Sequence, residues 1–520
     1  MEVVKNDDDA NARGQNVECS FVTRMGAAWE VPTAPMSLPA SLGRYGLSEV
    51  VNMMLSGRGG FVSGSGEEEK EATGMKPRPF EFLAGGEMIR GSLASFLARK
   101  KISTEEVLEL EYIPAVLPPS PRHECPLEDW VRCVDAAVQR GQHHQQQQQD
   151  RSKELRILSG GYDGCARLWD LSGTMLCECR GHTAGVTGVS IFSETTSAAI
   201  AKFAADNDDD NVMHAVTASN DGSCLLWRIP TRCHASHSDA DENAEQPKAV
   251  HSALMVGQHE SAIECVAAAN DTAEKGSTVL VATGGWDAAL RIWALQENDG
   301  SGDDNEPSEK RAKLSHISTK QQSNGASHAD VARLRSKEEM TIDDHTQCVA
   351  SVAWRLRSRE LVSGSWDHSV RLWDIERGGG KAIDTVHTGR AVYCVAVQRG
   401  PHNGADDDLV AFAGASQAVR LWDTRCTGGT AVSLRPLGNH AGWVSSLSWS
   451  HTSEYHLLST SHDGCFRIWD IRSSPEALHS VAAHEGKKAL CGTWLGSFAI
   501  ATGGEDCKLR ICDIDLAGCI

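Results

Sequence analysis

The sequence predicts a mainly β protein: a closed ring of seven repeated sheets, preceded by a small α+β domain. Two observations predict the ring. Tryptophan is over-used, with fourteen Trp against ten Phe and five Tyr, and a short motif returns along the chain with Trp at a fixed place. A third predicts the smaller domain: nothing in residues 17–113 carries that motif, yet apolar alternation and helical spacing both occur there.

The N-terminal elements follow in order. Residues 1–16, with Asp7, Asp8 and Asp9, read as a disordered acidic tail with no apolar core, so not as a secretory signal. Asn16–Thr23 and Ala28–Ala40 alternate as two strands. Leu42–Leu55 reads as a helix, with Leu47, Val50, Val51 and Leu55 on one face. Gly57–Lys76 is a Gly/Ser/Glu-rich loop. Pro79–Arg90 reads as strand, glycine turn and strand, and a short helix follows around Leu93–Leu97. Glu106–Tyr112 ends the domain as a strand with Leu108, Leu110 and Tyr112 on one face. Boundaries are placed at 17–114 for this domain, 115–127 for a linker that includes a closing strand, and 128–515 for the ring.

The repeat is explicit. Ser159-Gly-Gly-Tyr-Asp-Gly-Cys-Ala-Arg-Leu-Trp-Asp170 returns as Ser219-Asn-Asp-Gly-Ser-Cys-Leu-Leu-Trp227, and again in the segments ending at Trp293, Trp373 and Trp469. In these five copies an Asp (Asp163, Asp221, Asp287, Asp367, Asp463) stands six residues before the Trp. Two copies are degraded: Ser416 replaces the Asp before Trp422, and Cys512 replaces the last Trp. The spacings are 58, 66, 80, 49, 47 and 43 residues, the later ones near the ~40–45 of four-stranded propeller blades. His182, His259, His345, His440 and His484 precede most copies, each followed by alternating apolar residues. Each repeat therefore reads as strand, strand, turn and strand, and Asp-Gly at 163–164, 221–222 and 463–464 suits a two-residue hairpin.

These residues resemble the WD-repeat β-propeller family, which implies a hydrogen-bonded set of His, Asp, strand Ser/Thr and Trp in each blade. The second blade would use His182, Ser219, Asp221 and Trp227. His259, Asp287 and Trp293 would serve the third, and His345, Asp367 and Trp373 the fourth. The sixth would use His440, Ser459 or Ser461, Asp463 and Trp469. A buried indole N–H needs an acceptor, and a turn Asp satisfies backbone donors. Only five residues follow Asp515, too few for a last strand, so Ala115–Pro126 is expected to close the ring.

Composition narrows the chemistry. A net charge of −20 argues against nucleic-acid binding through a whole-surface basic field. Seventeen Cys without a CxxC pair read as buried thiols in a reducing compartment. A His–Asp pair placed repeatedly is scaffold rather than catalytic machinery. No Walker A loop, HExxH or nucleophile elbow occurs, and Gly378-Gly-Gly-Lys381 lacks the first Gly and the Ser/Thr of a phosphate loop. Cys233–His237 and His143-His144 lack partner pairs for zinc. The expectation is no enzyme, no cofactor, no metal within the chain and no membrane span.

Strand, strand, helix, strand, strand and last strand is the ubiquitin-like order. Together with Ser41–Asn52, Phe80-Glu-Phe-Leu83, Ile102-Ser-Thr-Glu-Glu106, Pro118-Pro-Ser120 and Glu128-Asp-Trp-Val131, all before seven repeats, it resembles the WD-repeat ribosome-biogenesis factors of the PeBoW complex. The resemblance implies a nucleolar and nucleoplasmic, non-catalytic adaptor in maturation of the large-subunit rRNA precursors. Its implied partners are the block-of-proliferation WD-repeat protein, Pescadillo, the ATPase midasin and pre-ribosomal particles. It also implies that Glu105 completes the metal site of midasin.

Other readings stay open. The Notchless-type pre-ribosome factor has a similar domain order. Trp422-Asp-Thr-Arg425 and Trp469-Asp-Ile-Arg472 match the box of cullin-ligase substrate receptors. Glu309-Lys-Arg-Ala-Lys-Leu314 is either a nuclear-localisation signal or a solvated charge cluster, and Arg355, Arg357 and Arg390 are either RNA contacts or surface charges. Residues 137–153, 205–211, 232–247 and 297–339 are expected to be disordered insertions extruded from one rim.

Overall fold

The computed structural model describes residues 15–57, 77–103, 106–138, 155–192, 212–230, 248–250, 253–271, 278–297, 334–355, 359–376, 380–398, 408–426, 434–473 and 476–516. The chain divides into two compact units, residues 1–118 with 469–478 and 514–520, and residues 119–468 with 479–513.

The first unit holds a five-stranded sheet and two helices. The strands are β1 (Asn16–Val22), β2 (Met36–Pro39), β3 (Phe80–Ala84), β4 (Glu87–Met88) and β5 (Leu108–Pro114), with α1 (Arg44–Gly57) and α2 (Leu93–Lys100) between them. Their order across the sheet is β2-β1-β5-β3-β4. β1 and β5 run parallel, and the remaining pairs are antiparallel. Period-2 patterning sends Val17, Cys19 and Phe21 of β1 and Leu108, Leu110 and Tyr112 of β5 inward, where Leu47 and Val51 of α1 cover them. Phe21, Phe80, Phe82 and Tyr112 meet edge-to-face at 5.6–6.3 Å between centroids, each such ring contributing roughly 1.5–3 kcal/mol by burial. Ser92 caps α2 by accepting from the Ser95 N–H, and Gly85 and Gly86 turn the β3–β4 hairpin at φ 58° and 80°.

One expected strand is much shorter than its reading. Of residues 28–40 only Met36–Pro39 joins the sheet. Pro32 and Pro35 lack the N–H a ladder requires, so pairing starts after them.

Seven sheets form the ring. Their first strands are Val131–Val138, Val186–Phe192, Ile263–Asp271, Val349–Arg355, Val392–Val397, Val444–Trp449 and Ala489–Leu495. Each abuts the next, and the seventh abuts the first. Each sheet contains an antiparallel run of four strands in sequence order, except that the fourth strand of blade seven is β6 (Ser120–Pro126), which pairs with Lys508–Asp513. A strand from upstream thus seals the last blade, and no edge is left where the ring meets itself.

Apolar contact runs between blades as well as within them. Trp227 of blade two packs with Leu158, Leu168 and Cys177 of blade one. Gly181 makes this possible, since a Cβ there would lie 2.9 Å from the Trp227 ring. Four thiols stitch the seams in the same way. Cys133, Cys265, Cys394 and Cys491 donate to Val186, Val349, Val444 and Val131 in the next first strand.

Three details differ from the sequence reading. The Asp-Gly turns are not two-residue hairpins with two left-handed residues. Gly164 bonds to the Gly161 carbonyl, and within that turn only Gly164 has positive φ, at 79°. That is a type I turn followed by one left-handed residue. The insertion assigned to 297–339 is shorter, because Leu334–Ile342 is the fourth strand of blade three and pairs with Leu290–Glu297. Lys248–Val250 adds a fifth, parallel strand to blade one.

Candidate functional site

The residues singled out by the repeat come together blade by blade. In blade two, Trp227 Nε1 donates to Thr217 Oγ1 at 2.8 Å, His182 Nε2 lies 2.7 Å from the same hydroxyl, and His182 Nδ1 lies 3.2 Å from Asp221. Blade three repeats this with Trp293 to Thr283 (3.0 Å), His259 to Thr283 (2.8 Å) and His259 to Asp287 (2.9 Å). Blade four uses Trp373, Ser363, His345 and Asp367 at 2.7–2.8 Å. In blade six His440 bridges Ser459 (2.7 Å) and Asp463 (3.0 Å), and Trp469 is buried.

Donor arithmetic fixes the protons. An indole only donates, so the hydroxyl accepts from Trp and gives its own hydrogen to His Nε2. Nδ1 then carries the imidazole proton and donates it to the carboxylate. The Asp also accepts backbone N–H groups, Thr183 and Ser223 on Asp221 and Ala441 and Cys465 on Asp463. Burial alone would raise the Asp463 carboxyl, but these bonds outweigh it and hold it below the usual range. Burial lowers His259, His440 and His484, and their Asp partners offset this only in part. Each imidazole in these chains is occupied at both nitrogens, leaving no lone pair for a substrate.

The hydroxyl of blade two differs from its reading. Ser219 bonds to the Ala184 carbonyl, and Thr217 takes the Trp. The register pairs Ala215 with Trp227 and Thr217 with Leu225. Thr217 is therefore one diagonal step from the indole, while Ser219 lies out at the turn. A signal for this was present, because the hydroxyl stands ten residues before the Trp in blades one to four.

Blades one, five and seven vary the set. In blade one Leu127 stands where His would, and Asp163 pairs with Arg167, itself paired with Glu178 (2.6 and 2.7 Å). Blade seven keeps His484 on Asp506 (2.8 Å) and Thr502 (3.2 Å), though Cys512 replaces its Trp. Blade five has Thr388, Ser416 and Phe412 in place of the polar members, and among the described residues the buried Trp422 Nε1 has no partner.

Glu105, Glu309–Leu314, Arg357, Cys233–His237 and His143-His144 lie outside the described residues. Glu106, beside Glu105, is exposed. Arg355 is taken up by Glu360 and by Asp408 at 2.7 Å, while Arg390 is exposed. In the two Trp-Asp-x-Arg boxes the Arg folds back onto its own Asp, Arg425 on Asp423 and Arg472 on Asp470, both at 2.7 Å. Among the described residues no cluster of His, Cys, Asp and Glu is placed to hold a metal, and no helix is long and apolar enough to cross a membrane.

Comparison with known proteins is direct. Residues 17–97 match the NLE (NUC135) domain, and residues 121–170, 336–374 and 431–470 match the WD domain, G-beta repeat. The chain is 31% identical over 517 residues to the ribosome biogenesis protein WDR12 homolog of Chlamydomonas reinhardtii, covering 97% of this chain and 99% of that one. It is 30% identical over 502 residues to the WDR12 homolog of Oryza sativa subsp. japonica, covering 96% and 97%. It is 28% identical to ribosome biogenesis protein YTM1 of Meyerozyma guilliermondii, covering 95% of each. With a β-grasp sheet, seven blades and near end-to-end similarity, the chain belongs to the WDR12/YTM1 family of ribosome biogenesis proteins.

Proposed function

We propose that the protein is a non-catalytic adaptor on pre-ribosomal particles of the large subunit, acting in the nucleolus and nucleoplasm in maturation of the large-subunit rRNA precursors. The observation that carries the absence of catalysis is the closed chain from Trp through hydroxyl and His to Asp. Every His of that chain is spent on holding a blade together. A rigid ring with its sheet edges paired offers surface rather than a reaction centre.

The two units take different partners in this reading. The propeller docks in the PeBoW complex on the block-of-proliferation protein, with Pescadillo as third member. The ubiquitin-like unit is the handle for midasin, and Glu105 gives a carboxylate oxygen to midasin's hard divalent cation. The Notchless-type alternative loses ground to seven blades and to relatives matched over their full length. The cullin-receptor alternative loses ground because Arg425 and Arg472 are each paired within their own box.

Purification of the tagged chain tests the first part. Pescadillo, the block-of-proliferation protein and large-subunit proteins are expected, and recovery of a cullin adaptor instead would overturn the assignment. For the second part, Glu105→Ala is expected to abolish Mg²⁺-dependent pulldown by midasin's metal-site domain, and unchanged pulldown would refute that role.

A further inference from the structure

Blade one lacks part of what holds the other blades together. Leu127 stands where a His would join Trp169 and Ser159 to Asp163, its N–H bonded to the Cys507 carbonyl as the His259 N–H is to Gly222. Its seams are also weakly bonded. From each first strand one side chain donates to a carbonyl of the next first strand. After blade two the donor is Thr187, to Ile263 at 2.6 Å, and after blade six it is Ser445, to Ala489 at 2.8 Å. On both sides of blade one the donor is a thiol, Cys491 to Val131 at 3.6 Å and Cys133 to Val186 at 3.8 Å. A thiol is a weak donor. Among the described residues, no other blade has a thiol on both seams.

Three other contacts meet on this blade. The first is an ion pair between Arg132 and Glu264 of blade three. The two stand at the same place in their first strands, beside Val131 and Ile263, which pair with Gly161 and Gly285 just before the turn aspartates. Both line the central channel, a cavity of about 290 Å³. Blades one and three are not neighbours, so the pair is a chord across the channel mouth. Blade two carries the small Thr187 at the corresponding place and lets the chord pass. Trp286 Nε1 donates to the other Glu264 oxygen at 3.3 Å and fixes the carboxylate. Burial alone would lower the Arg132 guanidinium, but Glu264 outweighs it and keeps the charge.

The second contact lies further along the same strand, where Asp135 accepts from the Ile191 N–H of blade two at 2.9 Å. The third is on the outside. Lys248–Val250, from the connection between the third and fourth strands of blade two, runs parallel along Met175–Arg180. Val250 is buried in the cluster that holds Leu168, Cys177 and Cys179 of blade one.

We propose that these contacts form a brace that holds blade one in the ring in place of its missing His, with Arg132–Glu264 on the channel side and Lys248–Val250 on the outer side. Blade one is then where the ring opens first when the brace is cut. Removing one partner of a buried ion pair leaves the other charge uncompensated, so the channel arm fails when either residue is changed.

Hydrogen–deuterium exchange on the full chain tests this, because it reads opening strand by strand. Arg132→Glu is expected to speed exchange in Val131–Val138 about tenfold, with Val392–Val397 of blade five unchanged. Combining it with Glu264→Arg restores opposite charges across the channel and is expected to return exchange to within about twofold of the unaltered chain. Where Arg132→Glu does not fold, Arg132→Met removes the charge without setting a like one beside Glu264 and is read in the same way. Val250→Asp is expected to speed exchange in Met175–Arg180. Unchanged exchange in Val131–Val138, equal acceleration in blades one and five, or no recovery in the charge-swapped pair overturns the brace. Unchanged exchange in Met175–Arg180 overturns its outer arm.

Discussion

Trp422 is fully buried with no acceptor for its indole N–H among the described residues, because Phe412 stands ten residues before it, where blades one to four carry Ser159, Thr217, Thr283 and Ser363. Blade five keeps the apolar half of the repeat and has lost the polar half. An unpaired buried donor costs about 1–3 kcal/mol. Trp422→Phe is therefore expected to destabilise the chain by about 1 kcal/mol less than Trp373→Phe, which breaks a bond to Ser363. Urea unfolding of the two variants compares them, and equal losses would show that the indole bond contributes nothing.

Acid should loosen the propeller in two stages. Burial lowers His259, His440 and His484, and lowers His214 to about 4. The unfolded chain takes up these protons near pH 6.5 while the folded chain does not, so stability is full above that pH and falls below it, by up to about 1.4 kcal/mol per pH unit for each His. Asp221, Asp367 and Asp463 are held below the usual range. Their contribution is present above pH ~4 and is lost below it as the unfolded carboxyls protonate first. Thermal midpoints from pH 8 to 5 should show the first stage, and a flat profile over that window would contradict it.

The turn glycines are expected to differ sharply among themselves. Gly464 and Gly486 both have positive φ, 79° and 69°. A Cβ on Gly464 would meet the His484 and Lys487 carbonyls at 2.6 and 2.7 Å, whereas one on Gly486 meets nothing within 4 Å. Gly486→Ala should cost about 1 kcal/mol through left-handed backbone alone. Gly464→Ala should cost at least twice that, as chemical denaturation would measure.

Thiol chemistry gives a quick check of burial. Of the described cysteines only Cys426 is exposed. Burial pushes the Cys19 thiol up to about 11 and those of Cys224 and Cys491 up to about 12, which suppresses the reactive thiolate. Brief alkylation of the native protein followed by mass spectrometry should modify Cys426 at least about tenfold faster than these three. Early modification of Cys491 would mean that the seam between blades seven and one opens readily.

What the sequence alone determined is whatever recurs locally. Trp, His and Asp return because each blade must bury the same donors and satisfy the same turn, so seven sheets and their order were legible from Trp169 to Cys512. The ubiquitin-like unit was legible from the alternation of Val17, Cys19 and Phe21 and the helical spacing of Leu47 and Val51. The tertiary structure decided what depends on partners distant in sequence. Cross-strand register chose Thr217 over Ser219. Packing against the preceding blade decided why Gly181 is glycine. Ring closure set Cys491 against the Val131 carbonyl, 360 residues away. The ring contacts of Trp286, Trp366, Tyr393 and Trp443 are the plainest case: Trp286 and Trp366 share the place before the turn Asp, Tyr393 and Trp443 stand at the start of a first strand, and only the closed ring sets these two kinds of position against each other.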